Sequence, residues 1–152
     1  MTIDDEVATM RRIPMLAKIE PKPLRMLAAV CRRVVFAPGQ VVFEQGDEGD
    51  AAYVILSGSA AIIARSENGD SIIATTGPDT LVGELAVICD VARSATVRAE
   101  TTLVTLRIER DHFMELLRQS PEASAAVMRH IGLRLIERTD ELAAARRGDS
   151  RN

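Results

Sequence analysis

The 152-residue chain has no tryptophan, one tyrosine and three phenylalanines. Its core must therefore come from Val, Ile, Leu, Ala and Met. Cys31 and Cys89 are its two cysteines, too few and too scattered for a disulfide framework, a zinc site or an iron–sulfur cluster held by one chain. The two histidines, His112 and His130, both fall in segments predicted helical. They lie outside the strand-rich region, which argues against a metal-dependent β-barrel enzyme, whose histidines and carboxylate must converge inside the barrel. So placed, far along the chain from the anion motif described below, neither is assigned a role. No apolar run approaches the ~20 residues that cross a bilayer; residues 51–56 and 60–64 are strand-sized. The opening Met1-Thr2-Ile3-Asp4-Asp5-Glu6 is acidic, the opposite of a signal peptide. A net charge of −3 gives no reason to expect a nucleic-acid partner. No nucleophile, base and orienting group fall together, so no catalytic site is expected. What remains is a reduced, cytoplasmic protein of one domain, since 47% hydrophobic against 27% charged residues suits a folded rather than a disordered chain.

Periodicity divides the chain into helix, strands and helix. Residues 4–33 read as helical, broken at Ile13-Pro14-Met15-Leu16 and restarted at Glu20-Pro21-Lys22-Pro23, with Leu24, Leu27, Ala28 and Cys31 at helical spacing. Residues 34–108 carry short apolar runs separated by turn residues: Val34–Phe36, Val41–Phe43, Tyr53–Leu56, Ala60–Ala64 and Ser71–Thr75. Glu67-Asn68-Gly69-Asp70 is a hairpin signal. Val104, Leu106 and Ile108 alternate with Leu103, Thr105 and Arg107, the period of a strand with one face buried. Such strands argue for an antiparallel sandwich or barrel. Residues 109–145 are helical again, first Phe113, Leu116 and Leu117, then a long helix begun by Ser120-Pro121-Glu122 with an N-cap, a first-turn proline and an acid. Val127, Ile131, Leu135 and Leu142 lie near one face of it. Gly132, costly in mid-helix, is expected to mark close packing or a bend. Residues 146–152 read as a polar, disordered tail.

One stretch interrupts the strands. Gly83 lets backbone approach a ligand, and Glu84 to Ile88 read as a helical turn or two whose N-terminus points N–H groups at an anion. Arg93 adds a planar donor fork suited to two oxygens of one phosphate. Glu84 is the odd member, since a carboxylate beside an anion is costly unless it accepts a hydrogen bond from the same ligand. The stretch asks for one phosphate charge with a hydroxyl close by. The bland reading is a surface arginine paired with Glu84, a carboxylate that steadies the helix dipole, and small residues chosen for packing.

Gly83-Glu84-Leu85-Ala86 with Arg93-Ser94-Ala95-Thr96 resembles the phosphate-binding cassette of cyclic-nucleotide-binding domains, found in protein kinase A regulatory subunits, catabolite activator proteins and cyclic-nucleotide-gated channels. Phe36-Ala37-Pro38-Gly39-Gln40, Glu44-Gln45-Gly46-Asp47, Tyr53-Val54-Ile55-Leu56-Ser57-Gly58, Phe113 to Leu117 and the helix after Pro121 stand in the family's order. The resemblance spans roughly Ile13 to Leu142. It implies an α+β fold: an eight-stranded antiparallel β-roll, or jelly-roll barrel, with a short phosphate-binding helix, N-terminal helices and a long C-terminal helix.

It also implies a ligand, cyclic AMP in preference to cyclic GMP, with no other cofactor and no metal. Arg93 would take the phosphate and Glu84 the ribose 2′-hydroxyl. Gly83 and Ala86 match positions whose backbone groups face ribose and phosphate, and Val82, Leu85, Ser94 and Ala95 complete the cassette set. Ser94 stands where Thr accompanies a preference for cyclic GMP and Ala is frequent. Ala92 stands where the family usually has proline, and Val82 where Phe is common. Val54, Ile73, Val82, Leu85 and Val97 are candidates for the pocket lining or for plain core. Leu135 and Arg138 of the long helix would close over the purine, or else form a dimer seam and a solvated arginine. The implied module is a sensor that signals by closure of the C-terminal helix as a lid hinged near Ser120-Pro121, with an unidentified protein effector, no membrane insertion and a homodimer through that helix as one assembly. The alternatives are a ligand-independent dimerisation module or a fragment of a larger cyclic-nucleotide-regulated transcription factor or channel; the former kind carries a helix-turn-helix for which this chain has no room.

Overall fold

The computed structural model describes residues 2–151, with side chains up to Arg146. Helix α1, Ile3–Arg11, starts at a capping box in which Thr2 and Asp5 satisfy each other's backbone N–H groups. After the break, α2, Pro21–Val30, begins on its prolines and buries Leu24, Leu27 and Ala28. Eight strands follow: β1 Arg32–Phe36, β2 Val41–Phe43, β3 Ala51–Ser57, β4 Ala60–Ser66, β5 Gly69–Thr76, β6 Thr80–Val82, β7 Thr96–Ala99 and β8 Leu103–Glu109. Helix α3, Glu84–Cys89, interrupts them between β6 and β7, and α4, Arg110–Gln119, and α5, Pro121–Arg151, end the chain.

All strand pairings are antiparallel, in two four-stranded sheets of order β1-β8-β3-β6 and β2-β7-β4-β5. The expected β-roll is present, but the barrel is not closed: each sheet keeps two edges. Two cores result, and β3 belongs to both. Ala51, Tyr53 and Ile55 point between the sheets toward Phe36, Val82, Val97, Ala99 and Leu103. Ala52 and Val54 point outward, where Leu106 and Ile108 join them beneath Met10, Leu16, Leu24, Leu27, Phe113 and Leu116 of the helical layer.

This double coverage corrects the one-sided reading of β8. Leu106 and Ile108 face the helices, Leu103 faces the roll, and Thr105 is fully buried with its hydroxyl donating to Val34 O at 2.8 Å. Polar residues alternate on a strand whose second face lies inside the molecule, so they make hydrogen bonds there instead of meeting water.

Ser120 caps α5 as expected, its Oγ accepting from Ala123 N–H at 3.1 Å. Among the described side chains only the first turns of α5 pack: Ala123 and Val127 are buried and Ile131 partly so, whereas Met128, Leu135, Ile136 and Leu142 are exposed. A Cβ on Gly132 would meet nothing within 4 Å, so close packing does not explain this glycine. The helix does not stop near Ala145. It runs to Arg151, so the expected disordered tail is helical to that residue, and Asn152 lies outside the described residues.

Candidate functional site

The cassette begins at Gly83, whose φ of +78° places it in the left-handed region as the N-cap of α3. A Cβ there would lie 2.5 Å from Arg93 Nη1 and 2.9 Å from Phe43 Cε2. The position therefore needs glycine twice over, for its backbone conformation and for its space. The first N–H groups of α3 have no partner within the helix. Asp90 closes α3 in the left-handed conformation. The loop onward, which carries Ala92 in place of proline, is held by its backbone: Arg93 N–H donates to Asp47 O at 2.8 Å, and Gly46 N–H donates to Arg93 O at 2.9 Å.

Arg93 is 3% exposed. Its Nη1 donates to Gly83 O at 2.7 Å, its Nη2 to Ala51 O at 2.5 Å and, at 3.5 Å, to Asp50 Oδ1. The guanidinium lies 4.0 Å from the centroid of the Phe43 ring. Arg93 Nε is buried without a hydrogen-bond partner. Burial draws the arginine pKa below its ordinary value, opposed by the charge of Asp50, and an arginine so placed stays protonated at neutral pH. The bland reading of Arg93 as a surface residue paired with Glu84 does not hold. It is a buried cation clamped between α3 and the start of β3.

Asp50 joins this cation to a second one. Arg107 Nη2 donates to Asp50 Oδ2 at 3.1 Å, and its Nε donates to Glu109 Oε1 at 2.8 Å. Burial acts to raise the Asp50 pKa, but the hydrogen bond and charge of Arg107, helped by Arg93, carry it below the usual carboxylate value. The Arg107 pKa is raised, first by its bond to Glu109. Arg107 also donates to the Tyr53 hydroxyl. A cleft of about 410 Å³ is lined by Phe43, Asp50, Tyr53 and Arg107, so this network borders open space.

Glu84 is 7% exposed, and its Oε1 lies 2.9 Å from His130 Nε2 on α5. His130 was expected to lie far from the cassette with no role; the fold brings it into contact. A signal existed in the helical period, because His130 stands seven residues after Ala123 and three after Val127, next to the face that packs.

Ala86 and Val82 are buried, Leu85 and Ala95 half-buried, and Ser94 exposed. Val82 and Val97 belong to the core between the sheets and Val54 to the helix-side core, while Ile73 is exposed on β5. Leu135 and Arg138 are not brought to the cassette: both are exposed on the part of α5 beyond its packed turns. Phe43, Asp50 and Arg107, which flank Arg93 or steady its carboxylate partner, carry no local motif. They were legible only as strand and turn residues.

Residues 33–120 match the family described as cyclic nucleotide-binding domain, and the chain belongs to that family. It is 33% identical over 111 residues to a cAMP-dependent protein kinase regulatory subunit of Blastocladiella emersonii, covering 72% of this chain and 28% of that one. It is 28% identical over 126 residues to the CRP-like cAMP-activated global transcriptional regulator of Mycobacterium tuberculosis, covering 82% of this chain and 56% of the relative. The structure of the Thermus thermophilus catabolite activator protein matches with a TM-score of 0.78 at 26% identity, over 85% of this chain and 61% of that one. The chain thus spans from about a quarter to just over half of the curated relatives' lengths. Among the described residues no helix is long and apolar enough to cross a membrane.

Proposed function

We propose that this chain is a regulatory sensor module that binds a cyclic nucleotide and performs no catalysis. The observation that carries the reading is a buried arginine, Arg93, held beside a left-handed glycine at the start of a short helix whose first side chain is the buried carboxylate Glu84. In this reading a phosphate oxygen takes the unsatisfied Nε–H of Arg93, relieving a cost of about 1–3 kcal/mol. Backbone N–H groups at Gly83, Leu85 and Ala86 share the charge. Glu84 accepts the ribose hydroxyl, and Ala95 and Ser94 flank the phosphate. Cyclic AMP is the expected ligand over cyclic GMP, although Ser94 keeps the hydroxyl, without the methyl, of the threonine that accompanies cyclic GMP preference.

The output is the position of α5, pivoting near Ser120-Pro121, read by a protein partner or by a second copy of the chain. The exposed Met128, Leu133, Leu135, Ile136 and Leu142 support the second copy and also favour one alternative, a dimer indifferent to nucleotide. Light scattering with and without cyclic AMP separates the two: an unchanged dimer that binds no nucleotide supports the alternative. The direct test is titration calorimetry with cyclic AMP and cyclic GMP. Arg93→Ala removes charge-assisted hydrogen bonds of roughly 1.5–3 kcal/mol each, and so weakens binding about tenfold or more. Unchanged affinity in that variant refutes the assignment.

A further inference from the structure

We propose that His130 is a latch that holds α5 against the cassette and must let go before Glu84 can receive a sugar hydroxyl. The inference rests on the assignment of Glu84 to the ribose made above. Its starting point is that Glu84 is buried, with its side chain 9% exposed, and that its carboxylate already meets a partner, His130 Nε2 at 2.9 Å. With so little open surface, a ribose reaches this carboxylate only when the imidazole moves aside.

The geometry of α5 makes such a movement small. At its start, Ser120 is fully buried, with its Oγ accepting from Ala123 N–H and donating to Glu20 Oε2, both at 3.1 Å. Ala123 and Val127 are buried and Ile131 half-buried, and the residues from Leu133 to Arg138 are exposed. Among the described residues His130 therefore sits on the last packed turn of α5. Among the described residues it is the one α5 side chain hydrogen-bonded to α3. Ten residues at about 1.5 Å each place it roughly 15 Å from the pivot, so a swing of roughly 11° moves it about 3 Å, enough to part the two groups.

The consequence is competition for one carboxylate. Nucleotide and α5 both use Glu84, so occupancy of the site and the latched position of α5 exclude each other. Apparent affinity is then lowered by the latched fraction of molecules. The ligand signals by taking the atom that holds the helix down, and a closing lid over the base is not needed for that output.

The test uses the full chain with two variants, His130→Ala and His130→Gln, the second retaining an N–H donor at similar reach. Calorimetric titration with cyclic AMP is expected to give about threefold to tenfold tighter binding for H130A and near-wild-type binding for H130Q. Hydrogen exchange without nucleotide is expected to show faster exchange of backbone amides 126–134 in H130A alone. Unchanged affinity overturns the latch, and weaker affinity does too, because it makes His130 a ligand-holding group. If neither wild type nor variant binds cyclic AMP or cyclic GMP, the sensor reading itself fails. The exchange data then judge the latch alone, and unaltered protection in H130A overturns it.

Discussion

Gly83→Ala tests the cassette geometry most sharply, because two separable costs meet at one atom. The first is conformational: at φ of +78° an L-residue costs about 1–2 kcal/mol relative to glycine. The second is crowding. The new methyl would stand 2.5 Å from Arg93 Nη1 and 2.9 Å from Phe43 Cε2, so the guanidinium or the ring must shift. The atom pushed is the one that donates to Gly83 O at 2.7 Å, a charge-assisted bond worth roughly 1.5–3 kcal/mol net. The guanidinium is the end of a flexible side chain and recovers part of that, so the summed loss is expected near 2–4 kcal/mol. At roughly 2–4 °C per kcal/mol for a chain of this size, the midpoint of thermal unfolding falls by about 4–16 °C.

Gly39→Ala supplies the control. Gly39 has a φ of +87° and a Cβ there meets nothing within 4 Å, so only the conformational cost applies. Urea unfolding of the two variants should differ by at least about 1 kcal/mol. Equal losses would refute the claim that Gly83 is chosen for the space Arg93 and Phe43 occupy. Because the shift also moves Arg93, the cation proposed to bind phosphate, G83A is expected to weaken cyclic AMP binding where G39A does not.

Asp50 sets an acid limit. Its folded-state pKa lies below the ordinary value, so its contribution to stability is complete above about pH 4 and is lost as pH falls through the folded value. Stability measured from pH 6 to 3 should fall less steeply in Asp50→Asn, and parallel curves would remove the Arg93–Asp50–Arg107 network as a cause. Burial, with the charge of Glu6, pushes the Cys31 thiol up to about 12. At pH 8 its thiolate fraction is of order 10⁻⁴, so a thiol reagent should label exposed Cys89 first, with Cys31 reacting only on unfolding. Mass analysis of partly labelled protein decides this. Leu135→Ala, at a residue 64% exposed, should change stability by less than about 0.5 kcal/mol and leave nucleotide affinity intact, yet weaken any dimer built on α5. Lost nucleotide affinity in L135A would return that residue to the site.

The cassette was legible because its chemistry is local. Gly83, Glu84 and Arg93 fall within eleven residues, and a left-handed N-cap, a short helix and a following cation are written in consecutive positions. Both helix starts, on Pro21 and behind Ser120, were equally plain, since a proline in the first turn or a hydroxyl three residues before an N–H acts without distant partners. The strands β2 to β5 matched their apolar runs closely. β8 was read with one face too few, because alternation reports polarity and cannot tell water from a polar interior.

The amino-acid sequence by itself thus determined the helix–strand–helix order, the family and the local motif whose residues are proposed to meet a phosphate and a sugar hydroxyl, while β6 and β7 carried no apolar run of their own. Only the tertiary structure decided what those residues touch. Arg93 reaches Ala51 O across 42 residues, and Glu84 meets His130 across 46, while Leu135 and Arg138, on the same helix, miss the cassette. The Arg93 contact depends on how the roll brings β3 beside the loop after α3, and the α5 contacts depend on the direction in which α5 leaves Ser120 and on how far its packed face extends. Both are set by the helical layer over β3 and β8, and a pattern of neighbouring residues carries no record of that angle.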